Sequence, residues 1–493
     1  MSKRLAQKMP QLSRPDLLRD KMLINGVWRG AASSFEVTDP ATTAVIGTVP
    51  DATRADTQEA IEVAKEAFKS FRHKTARERS DLLRKWASLL RDHSQDLGRI
   101  VSLENGKPFA EAHGEVLACA QNFEWFSESA PHYTGDTIAS QNPNVRLHTI
   151  KQPVGVCGII TPWNFPASMI ARKVGAALAA GCTTVIKPAS ETPYSALAMA
   201  YLAAEAGVPD GVINVVTTHS NTKDVGHELC TSPLVSKITF TGSTPIGKLL
   251  MNQAASTVKK VSFELGGNAP FIIFEDADID KAVQGAMASK FRGSGQTCIC
   301  ANRFFVHEKV HDEFVTKFAA AISNLKPGHG LDEGTTQGPV INSKSMAKVT
   351  EHVKDALANG GKLVVGGEPL SELGPNFFAP TLITNGNQNM KVFKEETFGP
   401  LAVVAKFSSD AEVVEHANSV EVGLAGYFFT KDLVRANLVA EALEVGMIGI
   451  NTGLITEVAL PFGGIKESGF GREGSRYGLD DYTVIKTVAT SLA

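Results

Sequence analysis

The sequence predicts an α/β protein that is built on parallel sheets. Apolar runs rich in β-branched residues alternate with alanine-rich amphipathic stretches, an order typical of strand–helix–strand units with parallel strands. No repeat with a period of about 20–50 residues is present, which disfavours a solenoid or a propeller. The chain has 493 residues, of which 43% are hydrophobic, and this length favours two or three domains over one core.

The clearest series of such units lies between residues 154 and 263. Buried strands are predicted at 154–160, 183–189, 211–217 and 237–243, and helices at 168–181, 195–207 and 245–255. Gly181 stands where a left-handed residue commonly ends a helix. The series is typical of an open nucleotide-binding sheet. The pattern restarts after Glu264 and continues to about residue 460, which predicts a second domain.

Residues 135–153 differ from their surroundings because they are polar, alternating and too interrupted to form a helix. They predict a protruding hairpin that pairs with a C-terminal strand at 483–490. An exposed strand pair of this kind is a natural contact between subunits.

Composition argues against several classes of protein. The formal net charge is -3, and the basic runs are short and not interleaved with aromatic residues, so no nucleic-acid partner is expected. Six cysteines in a chain of this length do not make a disulfide framework and indicate a reducing compartment. No apolar run reaches the roughly 20 residues that cross a bilayer, so no membrane partner is expected either.

The N-terminal stretch 1–15 is basic and lacks the apolar core of a secretion signal. We expect a cytoplasmic protein. A mitochondrial transit peptide is the alternative, and the shortness of the stretch and its two serines argue against it.

Two glycine-rich turns compete for the role of a phosphate-binding loop. The GxGxxG match at 469–474 lies too close to the C-terminus for a strand–helix–strand unit to follow, which favours a loop that closes onto another domain. The turn from Gly242 to Gly247 instead leads into a helix, with Pro245 near its first position. Gly242 lets the backbone approach a ligand, and the helix N-terminus favours a pyrophosphate. This spacing alone is common by chance.

Three polar residues could carry chemistry, although each also has an ordinary structural explanation. Cys298 lies in GSGQTCIC, where an electrophile can approach a thiolate, whereas an isolated cysteine is more often buried and structural. Glu264 stands between an apolar strand and two glycines, a setting suited to a general base. Asn164, between two prolines, could donate to an oxyanion or form a turn. Cys300 is close to Cys298, but no further cluster has zinc-ligand spacing, so no metal is expected.

Seven motifs occur together and resemble one family. They are PWNFP (162–166), KPASETP (187–193), FTGS (240–243), ELGG (264–267), GQTC (295–298), EETFGP (395–400) and PFGGIKESGFGRE (461–473). Their order and spacing resemble those of the NAD(P)-dependent aldehyde dehydrogenase superfamily, and the resemblance covers essentially the whole chain. It implies the aldehyde dehydrogenase fold, with a Rossmann-like cofactor domain, an α/β catalytic domain and a small β oligomerisation element.

The resemblance also implies how the chain is divided. We expect the cofactor-binding domain at 1–134 and 154–263, and the catalytic domain at 264–474. The oligomerisation element is expected at 135–153 and 475–493, in a homodimer or a homotetramer.

The family resemblance assigns roles to the three reactive residues. Cys298 attacks the aldehyde to give a thiohemiacetal, whose oxyanion is held by the Asn164 side chain and the Cys298 backbone N–H. Hydride transfer to the nicotinamide leaves a thioester. Glu264 then activates the water that hydrolyses it. At the nicotinamide end, Glu396 is expected to bind the ribose with Phe398 beside the ring, and Trp163 is expected in the same cofactor site.

At the adenosine end, the resemblance implies that Lys187 holds the ribose and that Gly242 and Ser243 meet the pyrophosphate. Many NAD-preferring relatives carry a glutamate three residues after this lysine, where this chain has Ser190. Serine lacks the charge that would repel a 2′-phosphate, so we expect NADP to be preferred and NAD to be usable.

Two arginines point to the substrate. Arg172 and Arg292 flank the catalytic segments and could together bind a carboxylate at the far end of a short aldehyde, although most arginines are solvated surface residues. Strings such as ARKVGAALAAGCT and FRGSGQTCICANR resemble the succinate-semialdehyde dehydrogenase branch, which implies oxidation of succinate semialdehyde to succinate. Glutarate semialdehyde or a broader range of aldehydes is the alternative, because one methylene changes discrimination by only ~1–3 kcal/mol.

Two further positions follow from the same resemblance. The loop 453–461 departs from the branch, which has one or more serines after Gly-Leu-Ile, and Thr456 is expected to supply a hydroxyl to the substrate carboxylate instead. Some members of the branch pair the residue equivalent to Cys300 with the catalytic cysteine as a redox switch. A bridge between Cys298 and Cys300 would close a tight loop and be readily reduced. A small side chain that fills space is the alternative role for Cys300.

Overall fold

Two largely parallel sheets with helices packed against them make up most of the structure, a computed structural model that describes residues 9–492. The helices are α1 (Arg54–Phe71), α2 (Ala76–Asp92), α3 (Ser94–Asn105), α4 (Phe109–Ser129), α5 (Ser168–Ala180), α6 (Pro193–Glu205), α7 (Thr222–Thr231), α8 (Thr244–Ala255), α9 (Ile279–Lys290), α10 (His311–Ser323), α11 (Ser343–Ala358), α12 (Asp410–Asn418) and α13 (Leu433–Ala442). The strands are β1 (Met22–Ile24), β2 (Val27–Arg29), β3 (Ser34–Thr38), β4 (Val45–Pro50), β5 (Thr137–Ile138), β6 (Val145–Pro153), β7 (Val156–Ile160), β8 (Thr183–Lys187), β9 (Ile213–Val215), β10 (Val235–Thr241), β11 (Lys260–Glu264), β12 (Ala269–Ile273), β13 (Ala301–His307), β14 (Lys362–Val365), β15 (Thr381–Thr384), β16 (Leu401–Phe407), β17 (Val422–Gly423), β18 (Ala425–Phe429), β19 (Met447–Ile450), β20 (Ile465–Lys466), β21 (Gly469–Phe470) and β22 (Thr483–Ser491).

The N-terminal stretch considered for a transit peptide lies partly beyond this description, because residues 1–8 are outside the described residues. Between residues 9 and 492, no helix is both long enough and apolar enough to cross a membrane.

The first sheet contains the four strands that the sequence predicts between 154 and 263. Its order is β2-β1-β9-β8-β7-β10-β11-β21, and the strands from β9 to β11 pair in parallel. β7 and β8 are buried along their whole length, because α1, α5 and α7 pack against them, and this explains their unbroken apolar runs. Helix α5 ends as predicted at Gly181, whose φ of 95° is left-handed.

The second sheet confirms the α/β pattern that the sequence predicts after Glu264. Its order is β14-β15-β16-β13-β12-β18-β19, with only the edge strand β14 antiparallel to its neighbour. An aromatic cluster forms part of its core, since the ring centroid of Phe271 lies 5.1 Å from those of Phe304 and Phe429. The chain reaches this sheet directly from Glu264, the last residue of β11, which therefore lies where the two sheets adjoin.

The glycine-rich stretch at 469–474 closes onto the first sheet, as the sequence predicts. β21 pairs antiparallel with β11, and Gly469 lies opposite Glu264. Gly469 has a φ of 108°, and a Cβ atom there would lie 2.0 Å from the carbonyl oxygen of Phe263. Only glycine fits this close approach, which brings the end of the second α/β region against the strand that ends in Glu264.

The small third sheet has the order β22-β6-β5. The predicted pairing of the C-terminal strand with the hairpin is confirmed, since β22 runs antiparallel to β6 over its whole length. The other edge of β22 has no strand partner within residues 9–492, and Ile485 on this strand is 67% exposed. The preceding residues 477–482 form a 3-10 helix that packs against α5, with Leu479 and Tyr482 buried in the core.

Candidate active site

A cavity of about 340 Å³ gathers the residues that the sequence predicts to touch the substrate. Cys298, Arg172, Arg292 and Thr456 all line it. Aromatic and acidic side chains complete the wall, among them Phe165, Phe462, Glu111, Glu457 and Glu473. The volume lies at the lower end of the range of about 300–1,000 Å³ that is usual for small-molecule sites, which favours a short substrate.

Cys298 is presented by a loop whose backbone requires glycine. Gly293, Ser294 and Gly295 adopt left-handed φ values of 59°, 57° and 74° in succession, and the last of them lies three residues before the cysteine. A Cβ atom at Gly295 would lie 2.1 Å from the carbonyl oxygen of Gly399. Any side chain at Gly295 would therefore push the loop away from its support and displace the thiol.

The thiol of Cys298 is free and half-buried. Burial raises its pKa above the usual range, the carboxyl groups of Glu396 and Glu264 raise it further, and the guanidinium of Arg172 lowers it. In this geometry the nucleophile carries its proton at neutral pH, so a base must take that proton before attack.

Asn164 lies against the loop of the nucleophile. Its side-chain Nδ2 donates to the carbonyl oxygen of Gln296 at 3.0 Å, two residues before Cys298. An amide nitrogen has two N–H groups, so one remains free to donate elsewhere. The structure thus brings the predicted oxyanion donor to the predicted nucleophile.

Glu264 is a buried carboxyl, and its Oε2 has no hydrogen-bond partner in the described part of the chain. Burial raises its pKa well above the usual range, and the carboxyl of Glu473 raises it further, while the cations of Lys173 and Arg172 lower it. Glu473 pairs in turn with Lys173. A buried carboxyl with a raised pKa is suited to take up and release protons during a reaction.

The two predicted substrate arginines are each held over an aromatic ring. The guanidinium carbon of Arg172 lies 4.3 Å from the ring centroid of Phe462, and its Nη1 is buried without a hydrogen-bond partner among residues 9–492. The guanidinium carbon of Arg292 lies 5.7 Å from the ring centroid of Phe165. Two guanidinium groups on the wall of one cavity favour a ligand that carries a carboxylate.

The residues expected at the nicotinamide end lie together. The rings of Trp163 and Phe398 meet edge to face with centroids 5.7 Å apart. Glu396 accepts a hydrogen bond from the backbone N–H of Gly267 at 3.1 Å. Burial raises the pKa of Glu396 to about 7, against the opposing effects of that N–H group and of the Lys290 ammonium. An aromatic corner beside a carboxyl acceptor suits a flat ring that is attached to a ribose.

The residues expected at the adenosine end also fit a dinucleotide. Ser243 precedes α8 and its side chain forms no capping hydrogen bond, so the N–H groups of the first turn have no side-chain acceptor and can bind a pyrophosphate. Only glycine fits at position 242, because a Cβ atom there would lie 2.4 Å from the ring of Phe240. Lys187 ends β8, and its buried Nζ donates to the carbonyl oxygen of Pro188 at 3.1 Å. Burial lowers the pKa of Lys187 to about 8.

Ser190 has a neighbour that the sequence analysis did not weigh. Its Oγ donates to the carboxylate of Glu191 at 3.1 Å. The position three residues after Lys187 is therefore uncharged, but a carboxylate lies beside it and acts on the pKa of Lys187 as well.

Cys300 is buried, and its Sγ lies 3.7 Å from the carbonyl oxygen of Lys290. Like Cys298 it is a free thiol. Thr456 is exposed on the wall of the cavity. Throughout the described residues, no group of three or more His, Cys, Asp and Glu side chains is arranged to hold a metal ion.

Sequence reasoning missed three residues that surround the predicted ones. The charges of Lys173 and Glu473 act on the pKa of Glu264, and the ring of Phe462 packs against the guanidinium of Arg172. A signal existed for Lys173, because a lysine in the otherwise apolar stretch of α5 needs a buried partner. Glu473 and Phe462 lie far along the chain in the last motif, and nothing local shows what they touch.

Comparisons with known proteins identify the family of the chain. Residues 28–488 match the profile of the Aldehyde dehydrogenase family. The chain is 53% identical to a succinate-semialdehyde dehydrogenase [NADP(+)] of Saccharomyces cerevisiae over 480 residues, which are 97% of either chain. It is 53% identical to the mitochondrial succinate-semialdehyde dehydrogenase of Homo sapiens over 474 residues, which are 96% of this chain and 88% of that one.

A solved structure shares the fold. The crystal structure of succinate-semialdehyde dehydrogenase from Burkholderia pseudomallei matches with a TM-score of 0.96 and 53% identity, over 98% of this chain and 100% of that one. The expected fold is confirmed. Given a family match over most of its length and relatives at this level of identity, the chain belongs to the aldehyde dehydrogenase family.

Proposed function

We propose that the protein oxidises succinate semialdehyde to succinate, with NADP+ as the preferred hydride acceptor. The observation that carries the substrate class is Arg172, which has a buried guanidinium nitrogen without a partner in the described chain, on the wall of the cavity that holds Cys298. A buried N–H group without an acceptor is costly, so this position favours a ligand that supplies an acceptor such as a carboxylate. The reaction consumes an aldehyde, NADP+ and water, and it yields a carboxylate, NADPH and two protons.

The reaction begins at Cys298. Once Glu264 has taken the thiol proton and released it to solvent, the thiolate attacks the aldehyde carbon, and the carbonyl oxygen becomes the oxyanion of a thiohemiacetal. The Asn164 amide, which is tied to the carbonyl of Gln296, donates to this oxyanion together with the backbone N–H of Cys298. Removal of one preorganised donor of this kind typically costs about 2.7–4 kcal/mol of transition-state stabilisation.

NADP+, when bound, accepts the hydride that leaves the thiohemiacetal carbon. The carbon then remains attached to Sγ of Cys298 as a thioester. Glu264 takes a proton from the water that attacks this carbon, the C–S bond breaks, and the cysteine returns as a thiolate. The raised pKa of Glu264 makes its carboxylate a strong acceptor for that proton.

Arg172 and Arg292 bind the carboxylate at the other end of the substrate, and Thr456 adds a hydroxyl. Hydrogen bonds to charged groups contribute about 1.5–3 kcal/mol each, which is enough to favour a charged aldehyde over a neutral one. Glutarate semialdehyde is the competing substrate. The two relatives whose names specify succinate semialdehyde support the shorter chain.

The cofactor assignment combines two observations. Ser190 places no charge against a 2′-phosphate, and the yeast relative is named for NADP(+). We infer that NADP+ is preferred and that NAD+ is also accepted. The residues that would hold the dinucleotide are Trp163, Lys187, Ser190, Gly242, Ser243, Glu396 and Phe398.

We propose that the third sheet is the oligomerisation element of a homodimer or homotetramer, with the division into a cofactor domain and a catalytic domain as expected from the sequence. The open edge of β22 and the exposed Ile485 support this, because an unpaired edge strand is a template for pairing with another chain. The six free cysteines support a reducing compartment, which we take to be the cytoplasm.

The absorbance of reduced cofactor tests the proposed reaction. The protein is assayed with succinate semialdehyde, glutarate semialdehyde and butanal, each with NADP+ and with NAD+, beside a Cys298→Ala control. We expect the highest kcat/KM for succinate semialdehyde with NADP+ and no turnover in the control. Absence of reduced cofactor with both semialdehydes would overturn the proposal, and a higher kcat/KM for glutarate semialdehyde would replace the substrate.

A further inference from the structure

The turn between α3 and α4 grips the loop that carries Asn164. Asn105 Nδ2 donates to the carbonyl oxygen of Trp163 at 2.8 Å. Lys107 Nζ donates to the carbonyl oxygen of Asn164 at 2.7 Å, and it lies 4.0 Å from the ring centroid of Phe165. Two successive carbonyl groups of the loop are therefore held by this turn.

Glu115, near the start of α4, binds both Lys107 and the backbone of the same loop. Its Oε2 accepts from Lys107 Nζ at 2.5 Å, and its Oε1 accepts the backbone N–H groups of Ala167 at 2.9 Å and Ser168 at 3.1 Å. The side chains of Lys107 and Glu115 are 2% and 1% exposed. The loop from Asn164 to the start of α5 is thus held at both ends by one buried ion pair.

A buried ion pair that holds a loop contributes little to the free energy of folding. Removing two charges from water costs about as much as their attraction returns, and apolar residues of similar volume often serve stability as well or better. What Lys107 and Glu115 supply instead is direction, because each of their hydrogen bonds ends on a backbone group of the loop. Asn164 is fixed through its carbonyl by Lys107 and through its side chain by Gln296.

We propose that Lys107 and Glu115 are positioning residues of the oxyanion site and act on the reaction through Asn164. The proposal rests on the proposed function in one respect, namely that Asn164 donates to the oxyanion. Neither side chain needs to touch the reacting atoms. Their effect is to keep the free N–H of the Asn164 amide aimed at the carbonyl oxygen of the aldehyde, which becomes the oxyanion when Cys298 attacks.

The experiment is a double-mutant cycle. Lys107→Met keeps the length of the side chain and removes the ammonium, and Glu115→Gln keeps the shape and removes the charge. Because small misplacements of a catalytic donor can cost up to about 100-fold in rate, we expect each change to lower kcat about 10- to 100-fold. KM for the aldehyde and for NADP+ should stay within about threefold, since the side chains of Lys107 and Glu115 are 2% and 1% exposed and offer almost no surface to a ligand, although Glu115 borders the cavity.

The cycle is completed in the background of Asn164→Ala. If Lys107 acts through Asn164, the Lys107→Met change costs less than about twofold once the amide is gone. A loss that multiplies in full with that of Asn164→Ala would overturn the proposal. If Lys107→Met does not fold, Glu115→Gln carries the same cycle, and an unchanged kcat in that variant would overturn the proposal too.

Glu104 provides a matched control. It is also buried, and it accepts the backbone N–H groups of Tyr194 at 2.7 Å and Ser195 at 2.9 Å at the start of α6. Glu104→Gln should lower the melting temperature as Glu115→Gln does and leave kcat within about twofold. An equal loss of kcat in both variants would show a general structural effect and overturn the proposal.

The cycle can be run with any aldehyde that the wild type oxidises, butanal included. A wild type that is inactive on semialdehydes would therefore contradict the proposed substrate and leave the positioning test intact.

Discussion

Lys173 and Glu473 form a buried ion pair between α5 and the glycine-rich loop, across 300 positions of the sequence. Lys173 Nζ also donates to Thr241 Oγ1 at 2.7 Å, at the end of β10. The carboxyl of Glu473 raises the pKa of Glu264, whereas the ammonium of Lys173 lowers it. The pair therefore links the loop that closes onto the first sheet to the protonation of the proposed base.

The Glu473→Gln variant should shift the pH dependence of thioester hydrolysis. The change removes the negative charge that raises the pKa of Glu264 and keeps the positive charge of Lys173 that lowers it, so the pKa of Glu264 should fall. The carboxylate is the form that accepts the proton of water, so hydrolysis should persist to lower pH than in the wild type. The measurement is the steady-state rate after the first turnover as a function of pH. The acidic limb of this pH–rate profile should move to lower pH.

Thr241→Val is the control, because it removes one hydrogen bond of Lys173 without a change of charge. The acidic limb of its pH–rate profile should stay at the wild-type pH. A limb that stays in place or moves to higher pH in Glu473→Gln would contradict the electrostatic link to Glu264.

The contact between Glu473 and Lys173 could not be predicted from the sequence, whereas several strands and reactive residues could. The strands at 154–160 and 237–243 could be predicted because their apolar runs are local. The pairing of the C-terminal strand with 135–153 could be predicted because 135–153 alternates and is too interrupted to form a helix. Cys298 and Glu264 could be proposed from their glycine neighbours and the family motifs.

Contacts between distant side chains could not be predicted in this way. Lys107 looks like a solvated residue beside a proline, and only the fold shows that its ammonium is buried against Glu115. The sequence around Phe462 likewise gives no sign that its ring packs against the guanidinium of Arg172. Such partners are set by how the elements pack, and hydrophobic periodicity contains no information about them.

The Arg172→Met variant should lose its preference for a charged aldehyde. Loss of charge-assisted hydrogen bonds of about 1.5–3 kcal/mol predicts a fall of about 10- to 100-fold in kcat/KM for succinate semialdehyde. Butanal has a methyl group in place of the carboxylate, so its kcat/KM should fall less, only by the effect of Arg172 on the pKa of Cys298 and of Glu264. The ratio of the two values is the measurement. An equal fall for both aldehydes would contradict the role in substrate binding and assign Arg172 to the electrostatics of Cys298 and Glu264 or to packing on Phe462.

The Ser190→Glu variant should shift the cofactor ratio toward NAD+. A carboxylate at this position would repel a 2′-phosphate, and repulsion of roughly 1–2 kcal/mol lowers the NADP+/NAD+ ratio of kcat/KM about tenfold. Glu191→Gln is the companion variant, because it removes the carboxylate that Ser190 now contacts and should move the ratio in the opposite direction. An unchanged ratio in Ser190→Glu would exclude this position as the determinant.

The Cys300→Ala variant tests the proposed redox switch. In the wild type, peroxide would oxidise the thiols of Cys298 and Cys300 to a disulfide and be reduced to water, so activity should be lost and then restored by dithiothreitol. Tyr427 Oη donates to the carbonyl oxygen of Ile299 at 2.9 Å and anchors the residue between the two cysteines.

Without Cys300, the oxidised sulfur of Cys298 has no adjacent thiol, so oxidation can proceed to the sulfinic acid, which dithiothreitol does not reverse. The expected contrast is reversible inactivation of the wild type and irreversible inactivation of Cys300→Ala. Tyr427→Phe frees the carbonyl of Ile299 and should speed the reversible loss, because the segment can then turn more easily. Mass spectrometry identifies the bridge between 298 and 300 directly. If the wild type forms no such bridge, or if Cys300→Ala recovers with dithiothreitol as fully as the wild type, Cys300 only fills space beside Lys290.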